Sequence, residues 1–140
     1  MTEFRSGSEF REVMDRAFGL MSTDPEMGPK LRDARVPQRF EFPDQGAVVN
    51  ITYDDSGGEQ NLRWEWSDEV DWEPKVTMTM SSEVANRYFQ GKANVPLALA
   101  KRRIKSSGDI KSALKLIPIT KPVFTLYREM LERDYPHLVV

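Results

Sequence analysis

Cysteine is absent from this 140-residue chain, and histidine occurs once, at His137. Without cysteine there is no disulfide framework, thiolate zinc site, Cys nucleophile or iron–sulfur cluster. A single histidine four residues from the end of this sequence leaves no Ser/His/Asp triad and no histidine-based metal cage. The expectation is no metal and no cofactor. Long apolar runs are missing as well. The longest, Val95 to Ala100, falls far short of the roughly 20 residues that span a bilayer. The first thirty residues lack the basic start, apolar stretch and small-residue cleavage site of a secretory signal. The final His137-Leu138-Val139-Val140 is not a peroxisomal address. These absences predict a soluble, cytoplasmic protein.

What is present fits one folded domain. Apolar residues make up 39% and charged residues 30% of the chain, enough for one core with a solvated surface. The net charge of −2 conceals an asymmetry. Residues 1–73 carry 17 acidic and 8 basic side chains, and residues 74–140 carry 5 acidic and 12 basic ones. From Arg87 to Lys121 there are nine Lys/Arg and one acid, Asp109. Such a stretch suits an anionic partner and equally suits the solvated face of helices. Nucleic acid is not expected, because Trp64, Trp66 and Trp72 lie in the acidic half, where phosphate is repelled and stacking cannot interleave with cations.

Periodicity divides the chain into a helical start, a strand-rich middle and a helical end. Phe10, Val13, Met14, Ala17, Phe18 and Met21 form one stripe, predicting a helix over about residues 8–21. Asp24-Pro25 opens a second, short helix toward Arg35, with Gly28-Pro29 inside it. From Gln38 the period becomes two: Phe40 and Phe42, then Ala47, Val49, Ile51 and Tyr53, then Leu62, Trp64 and Trp66, then Val76, Met78 and Met80. Asp54 to Gly58 is a hairpin loop. These runs predict an antiparallel meander with one face to the core and one to water. Ser81 caps a helix ended by Gly91, a short apolar helix runs from Val95 to Lys101, and a fifth strand covers Arg103 to Ser107. Asp109 caps a helix with Ile110, Ala113, Leu114 and Ile117 on its inner face; Pro118 is expected to break it and Pro122 to restart helix. The predicted class is α+β, a five-stranded, mainly antiparallel sheet covered on one face by helices.

The order of motifs in the second half is distinctive. Thr77-Met78-Thr79-Met80-Ser81-Ser82-Glu83 leads through a helix to Phe89-Gln90-Gly91-Lys92, and Ile104 to Asp109 leads to Ala113-Leu114-Lys115-Leu116. This resembles the SCP2 family, the sterol carrier protein 2 or SCP-2-like sterol-binding domains. The likeness covers roughly residues 38–133, leaving residues 1–37 as an N-terminal helical extension of a single domain. One departure is that the family commonly carries a glycine just before the last strand, where this chain has Lys101-Arg102-Arg103. The resemblance implies a non-catalytic binder, and carrier, of sterol, fatty acid or fatty acyl-CoA in an apolar tunnel between sheet and helices. It supplies no catalytic residue to carry over.

On the residues themselves, Trp64, Trp66, Met78, Met80, Phe89, Leu97, Leu99, Leu114, Ile117, Ile119 and Phe124 are the candidate tunnel lining, and each also reads as ordinary core. The two prolines of Leu116 to Pro122 read as a movable lid or as two helices joined by a turn. Lys101, Arg102, Arg103 and Lys105 are placed to meet a carboxylate, a CoA phosphate or an anionic membrane. Glu65, Asp68, Glu69, Asp71 and Glu73, around Trp72, crowd five carboxylates into nine residues. They lack calcium-loop spacing and read as a solvated loop. Two other classes stay open. One is a small enzyme, or enzyme-accessory domain, using Asp109 or Tyr127 in the same pocket. The other is an oligomerisation module in which the basic half of one copy meets the acidic half of another, so the oligomeric state is left undecided.

Overall fold

The computed structural model describes residues 3–140. Ser6 starts the first helix, α1 (Gly7–Thr23), by accepting the Glu9 N–H on its hydroxyl at 3.0 Å. Asp24 then accepts from the N–H groups of Glu26 and Met27, at 3.1 and 2.8 Å, at the start of α2 (Met27–Ala34). Pro29 sits in the first turn of α2, where its missing N–H deprives the helix of nothing. The strands are β1 (Gln38–Phe42), β2 (Ala47–Tyr53), β3 (Leu62–Glu65), β4 (Val76–Thr79) and β5 (Lys105–Gly108). Between β4 and β5 lie α3 (Ser82–Phe89) and α4 (Val95–Ala100). After β5 come α5 (Ile110–Thr120) and α6 (Val123–Asp134).

The sheet runs β3-β2-β1-β4-β5. It is mostly antiparallel with one parallel pair, β1 beside β4, in which Phe40 stands opposite Met78. This corrects the expected four-strand meander. Only β1, β2 and β3 form one; the long segment after β3 carries the chain across the sheet, so that β4 joins the free side of β1. A hairpin of a few residues would have forced an antiparallel pairing with β3. The alternation of apolar residues places Phe40, Phe42, Val49, Ile51, Leu62 and Met78 on one inner face. Helices cover that face: α1 packs on β3, α2 on β2 and β3, and α5 on β4, with α6 lying against α1 and α3.

The opposite face is not simply solvated. Asn50 is fully buried there and donates from Nδ2 to the Ser67 carbonyl at 2.7 Å. Arg39 donates to the Asp68 carbonyl at 3.0 Å, and the Arg63 guanidinium lies 4.8 Å from the Trp72 ring centroid. The acidic loop is therefore folded back on the outer face by its backbone carbonyls and its tryptophan. Among the described residues no group of acidic or histidine side chains is arranged to hold a metal ion.

The N-terminal helix belongs to the main core. Phe10, Val13, Met14 and Ala17 are fully buried, and the Phe10 ring meets Phe42 edge-on at 4.9 Å. At the other end of the sheet, Asp109 N–H bonds to Lys75 O at 2.8 Å, and Gly108 has φ +87°. A Cβ on Gly108 would lie 2.4 Å from that same carbonyl. A second turn closes α4. Arg102 N–H bonds to Leu99 O and Arg103 N–H to Ala98 O, at 3.2 and 2.8 Å, a Schellman closure with Arg102 at φ +60°. This turn occupies Lys101-Arg102-Arg103, and β5 starts at Lys105 where Arg103 was expected. Pro118 does not break α5. It falls in the last turn, where only one backbone hydrogen bond is forfeited, and Thr120 Oγ1 donates to the Ile117 carbonyl at 2.9 Å.

These two turns predict opposite results. Gly108→Ala lowers stability by about 2 kcal/mol or more through the clash and the positive φ. Arg102→Gly raises it by about 1 kcal/mol by relieving a left-handed non-glycine residue. Urea denaturation of the two variants checks both signs.

Candidate functional site

The inner face of the sheet and the helices above it do not meet throughout. Between them lies a cavity of about 120 Å³, partly open to solvent. Its walls come from α1 (Met14, Phe18, Met21), from β1 and β2 (Phe40, Phe42, Ile51), from Met78 and Met80 at β4, from α3 (Ala85, Tyr88, Phe89) and from α5 (Ala113, Leu114, Ile117). Ile104 and Val95 close another side. Four of the chain's seven methionines face this space. Unbranched and polarizable, Met fills irregular gaps and moves out of them at low cost.

Among the described residues that line the cavity, none is charged. The polar groups present are Gln38, Thr52, Tyr53, Tyr88 and Thr120. Tyr88 and Thr120 share a 2.7 Å hydrogen bond. Since Thr120 spends its one proton on the Ile117 carbonyl, the phenol is the donor to it. Burial pushes the Tyr88 phenol upward, and the Thr120 hydrogen bond only partly opposes this. Tyr88 therefore stays protonated at neutral pH, with a lone pair still free to accept. Gln38 makes no side-chain hydrogen bond within the described residues, leaving both a donor and an acceptor toward the cavity.

Of the eleven side chains expected to line a tunnel, Met78, Met80, Phe89, Leu114 and Ile117 surround this cavity. The others lie elsewhere. Trp64 and Trp66 both donate their indole N–H to Asp15 Oδ1, at 2.9 and 2.7 Å, and pack on Phe18. Phe124 stacks edge-on against Tyr88 and lies where a Cβ added to Gly91 would meet it at 3.1 Å. Ile119 lines a separate shallow cleft with Pro118, Pro122 and Met27. Leu99 is half-buried against the core, and Leu97 is half exposed at 50%. The lining that sequence reasoning missed includes Met14, Phe18 and Met21, whose regular helical spacing gave no sign that they look onto a hollow. The four cations Lys101, Arg102, Arg103 and Lys105 are exposed at the corner between α4 and β5, on either side of inward-facing Ile104.

The two candidate ionisable groups are committed elsewhere. Asp109 is exposed and caps α5, accepting from the Ser112 hydroxyl at 2.6 Å and its N–H at 3.1 Å. Those bonds hold its carboxyl below the usual range. Tyr127 is fully buried behind the cavity, not on its wall, and donates to Asn86 Oδ1 at 2.7 Å. Burial drives its phenol far above the ordinary value, so it remains a donor.

This fold, a five-stranded mixed sheet under helices, is shared with solved structures. The sec-alkylsulfatase Pisa1 from Pseudomonas sp. matches over 76% of this chain and 16% of its own, with TM-score 0.61 and 15% identity. The present chain thus spans about 16% of that enzyme's length. A UbiJ-SCP2 ubiquinone synthesis protein matches over 86% of this chain and 95% of its own, at TM-score 0.60 and 9% identity. Sterol carrier protein 2 from Yarrowia lipolytica, in its apo form, matches over 87% and 96%, at TM-score 0.56 and 12% identity. No curated protein matches the sequence. The sequence pattern of the SCP-2 sterol transfer family matches residues 20–121. The chain belongs to that family, whose function is lipid binding and transfer at the level of the family. The match begins within α1, ahead of residue 38, in keeping with the place of α1 and α2 in the core. Among the described residues no helix is long and apolar enough to cross a membrane.

Asp15 holds both tryptophans out of the cavity wall. Asp15→Ala is expected to lower stability by about 2–3 kcal/mol, because two charge-assisted hydrogen bonds disappear and two indole N–H groups lose their acceptor. Denaturation monitored by Trp fluorescence measures the loss.

Proposed function

We propose that this chain binds a lipid, sterol, fatty acid or fatty acyl-CoA, in the hollow between sheet and helices, without catalysing a reaction on it. The observation that carries this reading is the cavity lining itself: predominantly apolar, uncharged among the described residues, and rich in methionine. A hydrocarbon chain or ring system matches such a wall, and a buried ionised head does not. The family's sterol-transfer function points the same way.

Magnitudes set the expected affinity. About ten methylenes taken out of water contribute on the order of 8 kcal/mol. Against this stands an association cost of roughly 4–15 kcal/mol. With that cost near its lower end, ten methylenes leave about 4 kcal/mol, the millimolar range, and about fifteen, as in a long acyl chain, leave about 8 kcal/mol, the micromolar range, with the broad selectivity of apolar contact. The present 120 Å³ is below the roughly 300–1,000 Å³ of a site holding a drug-sized ligand. A long chain therefore enters by displacing Met14, Met21, Met78 and Met80. The neutral polar pair Tyr88–Thr120 and the amide of Gln38 can then receive one hydroxyl or carbonyl inside.

Native mass spectrometry of purified protein, with titration of a fluorescent fatty acid, tests the reading. Retained apolar molecules or micromolar uptake are expected. In Ala113→Phe, where a ring fills the hollow, uptake falls about tenfold, and Leu114→Phe provides a second variant if the first folds poorly. Nothing bound, and no uptake of fatty acid, acyl-CoA or sterol by the wild-type chain, would overturn it.

A further inference from the structure

We propose that the α4–β5 corner is a docking surface for an anionic phospholipid bilayer. The corner joins three features that occur together nowhere else among the described residues. Leu97, on the outer side of α4, is the large apolar side chain left exposed, at 50%. Lys101, Arg102, Arg103 and Lys105 follow it, all exposed, and none takes part in an ion pair with a described residue. Arg102 occupies the left-handed position of the Schellman turn at φ +60°, where glycine fits without strain. Its guanidinium makes no hydrogen bond within the described residues to offset that strain. The backbone presents a cation here at a conformational cost that no contact among the described residues offsets.

The chemistry selects a bilayer. Cations beside a leucine match phosphate headgroups lying above hydrocarbon, a pairing of charge with apolar insertion. No exposed aromatic accompanies them to stack on bases, which a single-stranded nucleic acid would need. The whole chain carries −2, so attraction to an anionic surface must come from one oriented patch. Ile104 sits between Arg103 and Lys105 and turns inward to line the cavity. Docking by this corner therefore brings a wall of the hollow to the membrane. The docking itself does not depend on what the hollow holds, and its test needs no cavity ligand.

The experiment is co-sedimentation of the full chain with vesicles of phosphatidylcholine alone or mixed with phosphatidylglycerol. Binding is expected to the anionic vesicles only and to weaken as salt rises. Arg102→Gly should bind about fivefold more weakly while melting no lower than the wild type, so that unfolding does not account for the loss. Lys101→Glu combined with Lys105→Glu should abolish binding, Leu97→Ala should weaken it about as much as one charge, and Lys30→Gln on α2 should leave it unchanged. Equal binding to neutral vesicles would overturn the proposal. So would Arg102→Gly and the charge-reversed variant both binding as well as Lys30→Gln does, or displacement from vesicles by an RNA strand that binds more tightly. Fatty-acid uptake by the same variants is measured separately, and its presence or absence reports on the cavity alone.

Discussion

The parallel pairing of β1 with β4 is the constraint from which the rest of the molecule follows. Parallel neighbours need a long connection, here the β2–β3 hairpin and the acidic segment that folds over the outer face of the sheet. The pairing places the N-terminal meander and the C-terminal half edge to edge. Helices from both halves then share one apolar surface, with α1 and α2 reaching it from the acidic half and α3 and α5 from the basic half. A cavity bounded by Met14 and Phe18 on one side and by Ala113 and Ile117 on the other exists only because that pairing joins them.

The hollow remains open because the side chains around it are held by other commitments. The indole groups of Trp64 and Trp66 are drawn toward Asp15. Tyr127 is held behind the wall by Asn86, which also donates to the Leu138 carbonyl at 2.9 Å. Gln90 joins the same buried network, donating to Leu138 O and accepting the Val140 N–H, each at 2.9 Å. These buried polar groups fix α3, α6 and the chain end together. Three large aromatic rings that might have filled the space are thereby oriented away from it, and the flexible methionines are left to face it.

Much of this was legible in the residues. The helical stripe from Phe10 to Met21, the period-two runs, the Ser81 and Asp109 caps and the Gly91 stop each rest on local rules, and each element forms where those rules place it, within a few residues. That six of the eleven expected lining residues lie away from the cavity was not legible. Alternation says that Trp64 and Trp66 share a face with Leu62; it does not say that a carboxylate on α1 will claim both indoles. Pro118 looked like a break because propensity assumes a helix interior, whereas two residues before the last of the helix it deletes a bond of little consequence. The left-handed Arg102 was visible only as a missing glycine.

The amino-acid order alone determined the class of fold and the family, because periodicity, capping and motif order are properties of short segments. Tertiary structure decided that β4 lies beside β1, that α1 belongs to the cavity wall and that the basic corner stands next to Ile104. These are encounters between residues tens of positions apart, and no local preference encodes which distant partner a strand edge, an indole or an exposed cation will meet.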